Sequence, residues 1–321
     1  MGHRRGSAFM LFLLFFRVIF ILTFGLVVIP AISPGVARTV FGSPWFIIFQ
    51  QVMVFILPLG IWLFLTKEKL TEYVPNMKLG KINIIFIFFL SIFLQPIMML
   101  LSGISGLFFP NQVGAMVGGM AAQPLWLMLL ALAVTPAICE EIVFRGYIQS
   151  AYRNLPFTVS ALLNGLFFAM IHLSLQQFLY AFAMGVIFAY MVHYSRSIRA
   201  GILMHFIMNA SQISLARLVR ISVPESLAAP PQRISFAEQL HALMGMGVIA
   251  LVAAPCVVIL FRSFLSHNRQ RNIEYDMQKE IWQEPIESSA EAEASNPTRF
   301  RYIDPFIPAV VALYVFIMLV F

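Results

Sequence analysis

The chain has 321 residues, of which 60% are hydrophobic and 11% charged, against about 45–50% apolar and about 25% charged in soluble globular proteins. That excludes a soluble enzyme, and long apolar runs in place of short alternating ones exclude a transmembrane β-barrel. The net charge of +7 sits on basic residues scattered over short loops, which suits membrane topology better than nucleic-acid binding.

Apolar runs long enough to span a bilayer, about 20 residues each, are predicted at 8–30, 44–66, 82–109, 122–150, 157–175, 177–194, 199–217, 238–262 and 304–321. The expected fold is an all-α polytopic membrane protein with about eight to nine transmembrane helices. The first run follows His3-Arg4-Arg5 and contains Arg17, and it reads as a retained helix with a structural, snorkelling arginine. Residues 1–121 form the N-terminal transmembrane helices. Residues 122–217 form a helical core, and 218–262 an outer loop with Pro230-Pro231 and the helix after it. Residues 263–304, rich in Glu, Ala, Ser and Gln, read as a polar cytoplasmic linker. The run 305–321 reads as a peripheral C-terminal apolar helix. Most of the 21 lysines and arginines fall on one side of this arrangement, so the N-terminus is placed in the cytoplasm. Only Cys139 and Cys256 occur, both in apolar runs, which argues against a disulfide framework. Trp45, Trp126, Tyr147 and Tyr152 suit interfacial anchoring, with Tyr147 also within reach of a substrate. His193 and His241 lie near span ends.

Glu140-Glu141 stand out because they end an apolar run. An ionised side chain at mid-membrane costs at least ~2.5–3.5 kcal/mol, so two in succession need a reason. Glu141 and Arg145 are i,i+4 with the acid on the N-terminal side, the favourable order for an ion pair. Glu140 is turned about 100° away and is left for acid–base work. Cys139 beside it reads as an inert buried thiol. His172, His205 and Asn209 are the other polar groups that stand out inside apolar runs. Phe168 precedes His172 by one turn and can hold its ring by packing. His205 and Asn209 are i,i+4 on one face, where an imidazole and an amide can donate to a developing oxyanion.

Glu-Glu-x-x-x-Arg (Glu140, Glu141, Arg145), Phe-x-x-x-His (Phe168, His172) and His-x-x-x-Asn (His205, Asn209), in that order, resemble the CPBP family. These are the CAAX prenyl endopeptidases and bacteriocin-processing or immunity membrane proteases, also called the Abi family. The resemblance covers roughly residues 122–215 and makes 122–217 a CPBP-like catalytic core. It implies an intramembrane endopeptidase with a conical cavity opening toward the cytoplasm. Glu140 with His172 would activate a water, and His205 with Asn209 would stabilise the oxyanion. Glu141 and Arg145 would orient the helix and the first glutamate.

No cofactor is required on this reading, although Glu140, His172 and His205 form a donor set that zinc uses in catalytic sites. The expected partners are the lipid bilayer and a membrane-anchored or prenylated peptide or protein, with no nucleic acid. The expected location is a bacterial cell membrane. The rival readings are a non-catalytic scaffold or immunity protein, and an ion- or proton-coupled transporter. A geometric condition comes with the favoured one. His172 lies about 22 Å into its span and His205 about 9 Å from the same side, at 1.5 Å per residue. The two cannot meet Glu140 unless the helices at 157–175 and 177–194 are tilted or short.

Overall fold

The computed structural model describes residues 2–33, 36, 40–120, 122–222, 235–282, 304 and 306–320. Those residues are helical almost throughout, with no β-strand among them. Helix α1 (Gly2–Leu22) continues into a wider turn at Thr23–Val28. Then follow α2 (Pro44–Thr66), α3 (Lys81–Gly106), the short α4 (Gln112–Gly119) and α5 (Leu125–Ala151). The chain goes on through α6 (Phe157–Ile171), α7 (Leu175–Ser195), α8 (Ile198–Ser222), α9 (Phe236–Trp282) and α10 (Phe306–Val320).

Each predicted span thus corresponds to a helix, but not every helix is a full span. Among the described residues, α1, α2, α3, α5, α7 and α9 are long and apolar enough to cross a membrane. Helices α6 and α10 have 15 residues each, short of the ~20 a span needs. Helix α8 has 25, but it carries Arg199, His205, Asn209 and Arg217 and is more polar than α7.

The depth condition is met at one of its two helices: α6 is short, whereas α7, with 21 residues, is long enough to cross a membrane. Helix α6 ends at Ile171, and the chain reverses through Leu173, whose φ of 52° is left-handed. A leucine there carries steric cost, about 1–2 kcal/mol. The reversal returns the chain into α7 directly after His172. Helices α6 and α7 pack along each other and touch at two glycines: a Cβ on Gly185 would lie 2.7 Å from Gly165 Cα. Small residues let membrane helices approach this closely.

Two predicted segments differ from expectation. Ser263 to Trp282, expected as linker, continue α9 as helix. The polar half is held by specific bonds: Asn268 exchanges amide hydrogen bonds with Asn83 on α3, Arg271 donates to Ser195 O at 2.6 Å, and Asp276 accepts both terminal nitrogens of Arg196. Composition alone hides this, because a polar helix that docks by side-chain amides and ion pairs shows no apolar stripe. The rest of that linker, 283–303, lies outside the described residues, as do 223–234 of the predicted outer loop and Arg38. Helix α10, expected to be peripheral, packs on α1, and Val310 and Tyr314 are buried in the same apolar cluster as Phe9 and Leu13. Tyr147 and Tyr152 are buried within the protein, whereas Trp45 and Trp126 are exposed.

Candidate active site

Helix α5 carries the glutamates and is irregular on both sides of them. Wider, π-type turns occupy Leu130–Val134 and Ile142–Ile148. Such turns alter the carbonyl ladder and recur at functional sites. Side chains from other helices take up carbonyls in both: Asn209 Nδ2 donates to Leu132 O at 3.1 Å, and Asn164 Nδ2 to Phe144 O at 2.6 Å. Thr135 Oγ1 donates to Leu130 O within the first.

The Glu141 side of α5 is closed. Glu141 and Arg145 form an i,i+4 ion pair at 2.9 Å, both side chains without solvent exposure. The same oxygen, Oε1, accepts from His205 Nδ1 at 3.0 Å. The other, Oε2, has no hydrogen-bond partner among the described residues and lies against Gly201, where a Cβ would come within 2.4 Å of it. Helix α8 therefore offers Glu141 a gap at Gly201 and a ring nitrogen one turn later at His205. Arg145 also donates to Gly185 O at 3.2 Å, from the glycine where α6 and α7 touch. Its guanidinium lies 4.4 Å from the Phe168 ring centroid and 5.1 Å from that of Phe188. Flat contact with aromatic faces suits this cation where water is absent.

The Glu140 side faces a cavity of about 880 Å³. Glu140, His172, His205 and Asn209 all line it, from α5, the end of α6, and α8. Glu140 is 5% exposed, and its Oε1 accepts from Gln51 Nε2 of α2 at 3.1 Å. His172 Nδ1 lies 2.6 Å from Phe168 O. A carbonyl only accepts, so Nδ1 carries the proton and Nε2 keeps its lone pair. Phe168 packs edge-on against His172, centroids 5.0 Å apart, and approaches His205 at 6.0 Å. It thereby holds His172 by ring and carbonyl and covers Arg145 as well.

For His205 the same logic revises the expected role. Glu141, bound to Arg145, is an ionised acceptor, so Nδ1 of His205 donates to it. A neutral His205 then offers a lone pair at Nε2, and only the imidazolium donates there. Asn209 spends one amide N–H on Leu132 O and retains the other.

Two histidines held through Nδ1–H to oxygen acceptors is the arrangement that metal-ligating histidines adopt. The positions do not complete a site, however. Among the described residues no three His, Cys, Asp or Glu side chains stand close enough to hold an ion.

Sequence reasoning missed two cavity residues. Gln51 stands in the second apolar run and belongs to none of the three motifs. Arg17 was read as structural, yet it lines the cavity together with Glu140. A polar residue inside a span was the available signal for both. Gln176 and Gln177, in the first turn of α7, also line the cavity. Tyr147 does not touch it: the hydroxyl accepts from Trp62 Nε1 and donates to Glu68 Oε2. Cys139 is buried.

A family model described as type II CAAX prenyl endopeptidase, Rce1-like, matches residues 122–211. No curated protein and no solved structure matches the chain.

Proposed function

We propose, from the match of residues 122–211 to the Rce1-like type II CAAX prenyl endopeptidase model, that the protein is an intramembrane endopeptidase acting on membrane-anchored or prenylated peptide tails. The observation that carries this reading is the convergence of Glu140, His172, His205 and Asn209 on one cavity.

In the proposed reaction a water held by Glu140 and His172 Nε2 attacks the scissile carbonyl carbon. Its proton passes to Glu140, the C=O π electrons become the oxyanion, and the free Asn209 N–H and a protonated His205 Nε2 donate to that oxygen. Glu140 then returns the proton to the amide nitrogen. The C–N bond breaks, leaving a carboxylic acid on one product and an amine on the other. Glu141 does not touch the reacting atoms in this scheme. It fixes the His205 ring through Nδ1, while Arg145 fixes Glu141.

A metal would supply Lewis-acid polarisation of the carbonyl and of the water. The separation of the potential ligands argues against routing a step through one here. The site is proposed to open toward the cytoplasm, where the basic loops gather.

The test is reconstitution in lipid with a prenylated, CAAX-type peptide, comparing wild type with Glu140→Ala, His172→Ala and His205→Ala. Wild type should cleave, and each variant should lose about 100-fold or more. Equal behaviour of all four proteins would discard the reading and favour a scaffold. Loss of activity on zinc removal, restored by zinc alone, would overturn metal-free water activation.

A further inference from the structure

Two arginines line the cavity, Arg17 of α1 and Arg217 of α8. Arg217 gives a terminal nitrogen to Gln123 O. Arg17 is different. Its Nε is buried without a hydrogen-bond partner, and no hydrogen bond or ion pair joins its guanidinium to another described residue. Glu140 is the acid that acts on it electrostatically, but Glu140 accepts its hydrogen bond from Gln51 and is occupied as the base in the reaction above. Arg17 belongs to neither the matched segment nor any motif. A cation in a membrane span without a hydrogen-bonded anion is expensive, and intramembrane charges of this kind mark ligand paths. A guanidinium presents a planar fork of donors that matches a carboxylate bidentately.

We propose that Arg17 anchors the C-terminal carboxylate of the tail peptide, a binding site for the substrate's free acid contributed by α1. The proposal rests on the peptidase reading for its choice of anion. A CAAX tail ends three residues beyond its cysteine, so its carboxylate enters the same cavity as the scissile bond. Three extended residues span about 10 Å. Such an anchor would count the cut from the end of the chain and exclude internal segments, which carry no carboxylate there.

The decisive comparison is equilibrium binding of a fluorescent, prenylated tetrapeptide to the full-length protein in detergent, with a free acid or an amide at its C-terminus. The acid should bind about 10- to 100-fold more tightly to wild type, the scale of a hydrogen bond to a charged group. Arg17→Met should bring the acid down to the amide's affinity and leave the amide's unchanged. Arg17→Lys should keep part of the preference. Equal binding of acid and amide by wild type would overturn the proposal, as would an acid preference that survives Arg17→Met. Equal weakening of both ligands in Arg17→Met would make Arg17 a positioning residue for Glu140 instead. Displacement of the peptide by an equal concentration of decanoate would assign the site to carboxylates at large and overturn the peptide assignment. If Arg17→Met fails to fold, the wild-type preference and Arg17→Lys still decide. Wild type that prefers the acid yet cleaves neither peptide would sink the peptidase reading and leave the anchor standing.

Discussion

The two sides of α5 handle buried charge in opposite ways. On one, Glu141, Arg145 and His205 are joined by direct bonds and roofed by Phe168 and Phe188, with the Glu141–Arg145 pair sealed from water. On the other, Glu140 and Arg17 line one cavity and share no hydrogen bond. Adjacent glutamates therefore differ by environment more than by position. Charges tied by direct bonds fix geometry, even though Glu141 Oε2 and Arg145 Nε keep no hydrogen-bond partner; a charge left on a cavity wall without such a bond is costly at rest and ready to bind.

Substitutions that exchange the two behaviours are the sharpest tests. Glu140→Gln should lower turnover by about 10²–10⁴-fold with little change in melting temperature, because a single hydrogen bond from Gln51 is at stake. Arg145→Met should do the reverse. It strands Glu141 as a buried charge, at about 3–5 kcal/mol, and should show first as lost thermal stability in detergent. If Glu140→Gln unfolds the protein while Arg145→Met is merely inactive, the division of labour is wrong.

Gly201→Ala should cost about 1–3 kcal/mol as overpacking, since the new methyl meets Glu141 Oε2 and the Val192 side chain. A Gly201→Ala protein with wild-type melting and activity would mean that α8 is not pressed on Glu141.

The smallest effect is expected outside the membrane, at Glu68. Burial pushes its pKa up, but hydrogen bonds from Tyr147, Tyr73 and Arg5 outweigh that and hold it below the ordinary 4.5. A depressed carboxylate stabilises the fold above its unfolded pKa and loses that contribution as pH falls through the folded value. The melting-temperature gap between wild type and Glu68→Gln should be constant near neutrality and close below about pH 4.5. A gap unchanged at pH 3 would remove Glu68 from the contacts that tie α1 to α5.

Much of this was legible in advance, for identifiable reasons. Apolar length located the helices, and i,i+4 spacing paired Glu141 with Arg145 and left Glu140 over. The depth mismatch of His172 required the short α6. What spacing could not reveal is which helix faces which. His205 shares a face with Asn209 on α8, but its bond to Glu141 exists only because α8 crosses α5 at Gly201. Gln51 and Arg17 are likewise brought in by α2 and α1, more than 50 residues away in the chain from the motif they serve. The polar end of α9 was misread because its anchors, Asn268, Arg271 and Asp276, leave no hydrophobic signature.

Arg17 also bears on how the protein is made. Helix α1 emerges from the ribosome long before α5, so its arginine enters the bilayer with no glutamate to meet. Insertion at the helix centre costs about 2.5–3.5 kcal/mol, and each central Leu, Ile, Phe or Val returns about 0.3–0.6. Phe12 to Phe16 and Val18 to Ile21 surround Arg17 with such residues, enough to offset it at the translocon. The phenylalanine-rich flank of α1 thus acts as ballast: it carries a binding charge into the membrane before the rest of the site has been synthesised.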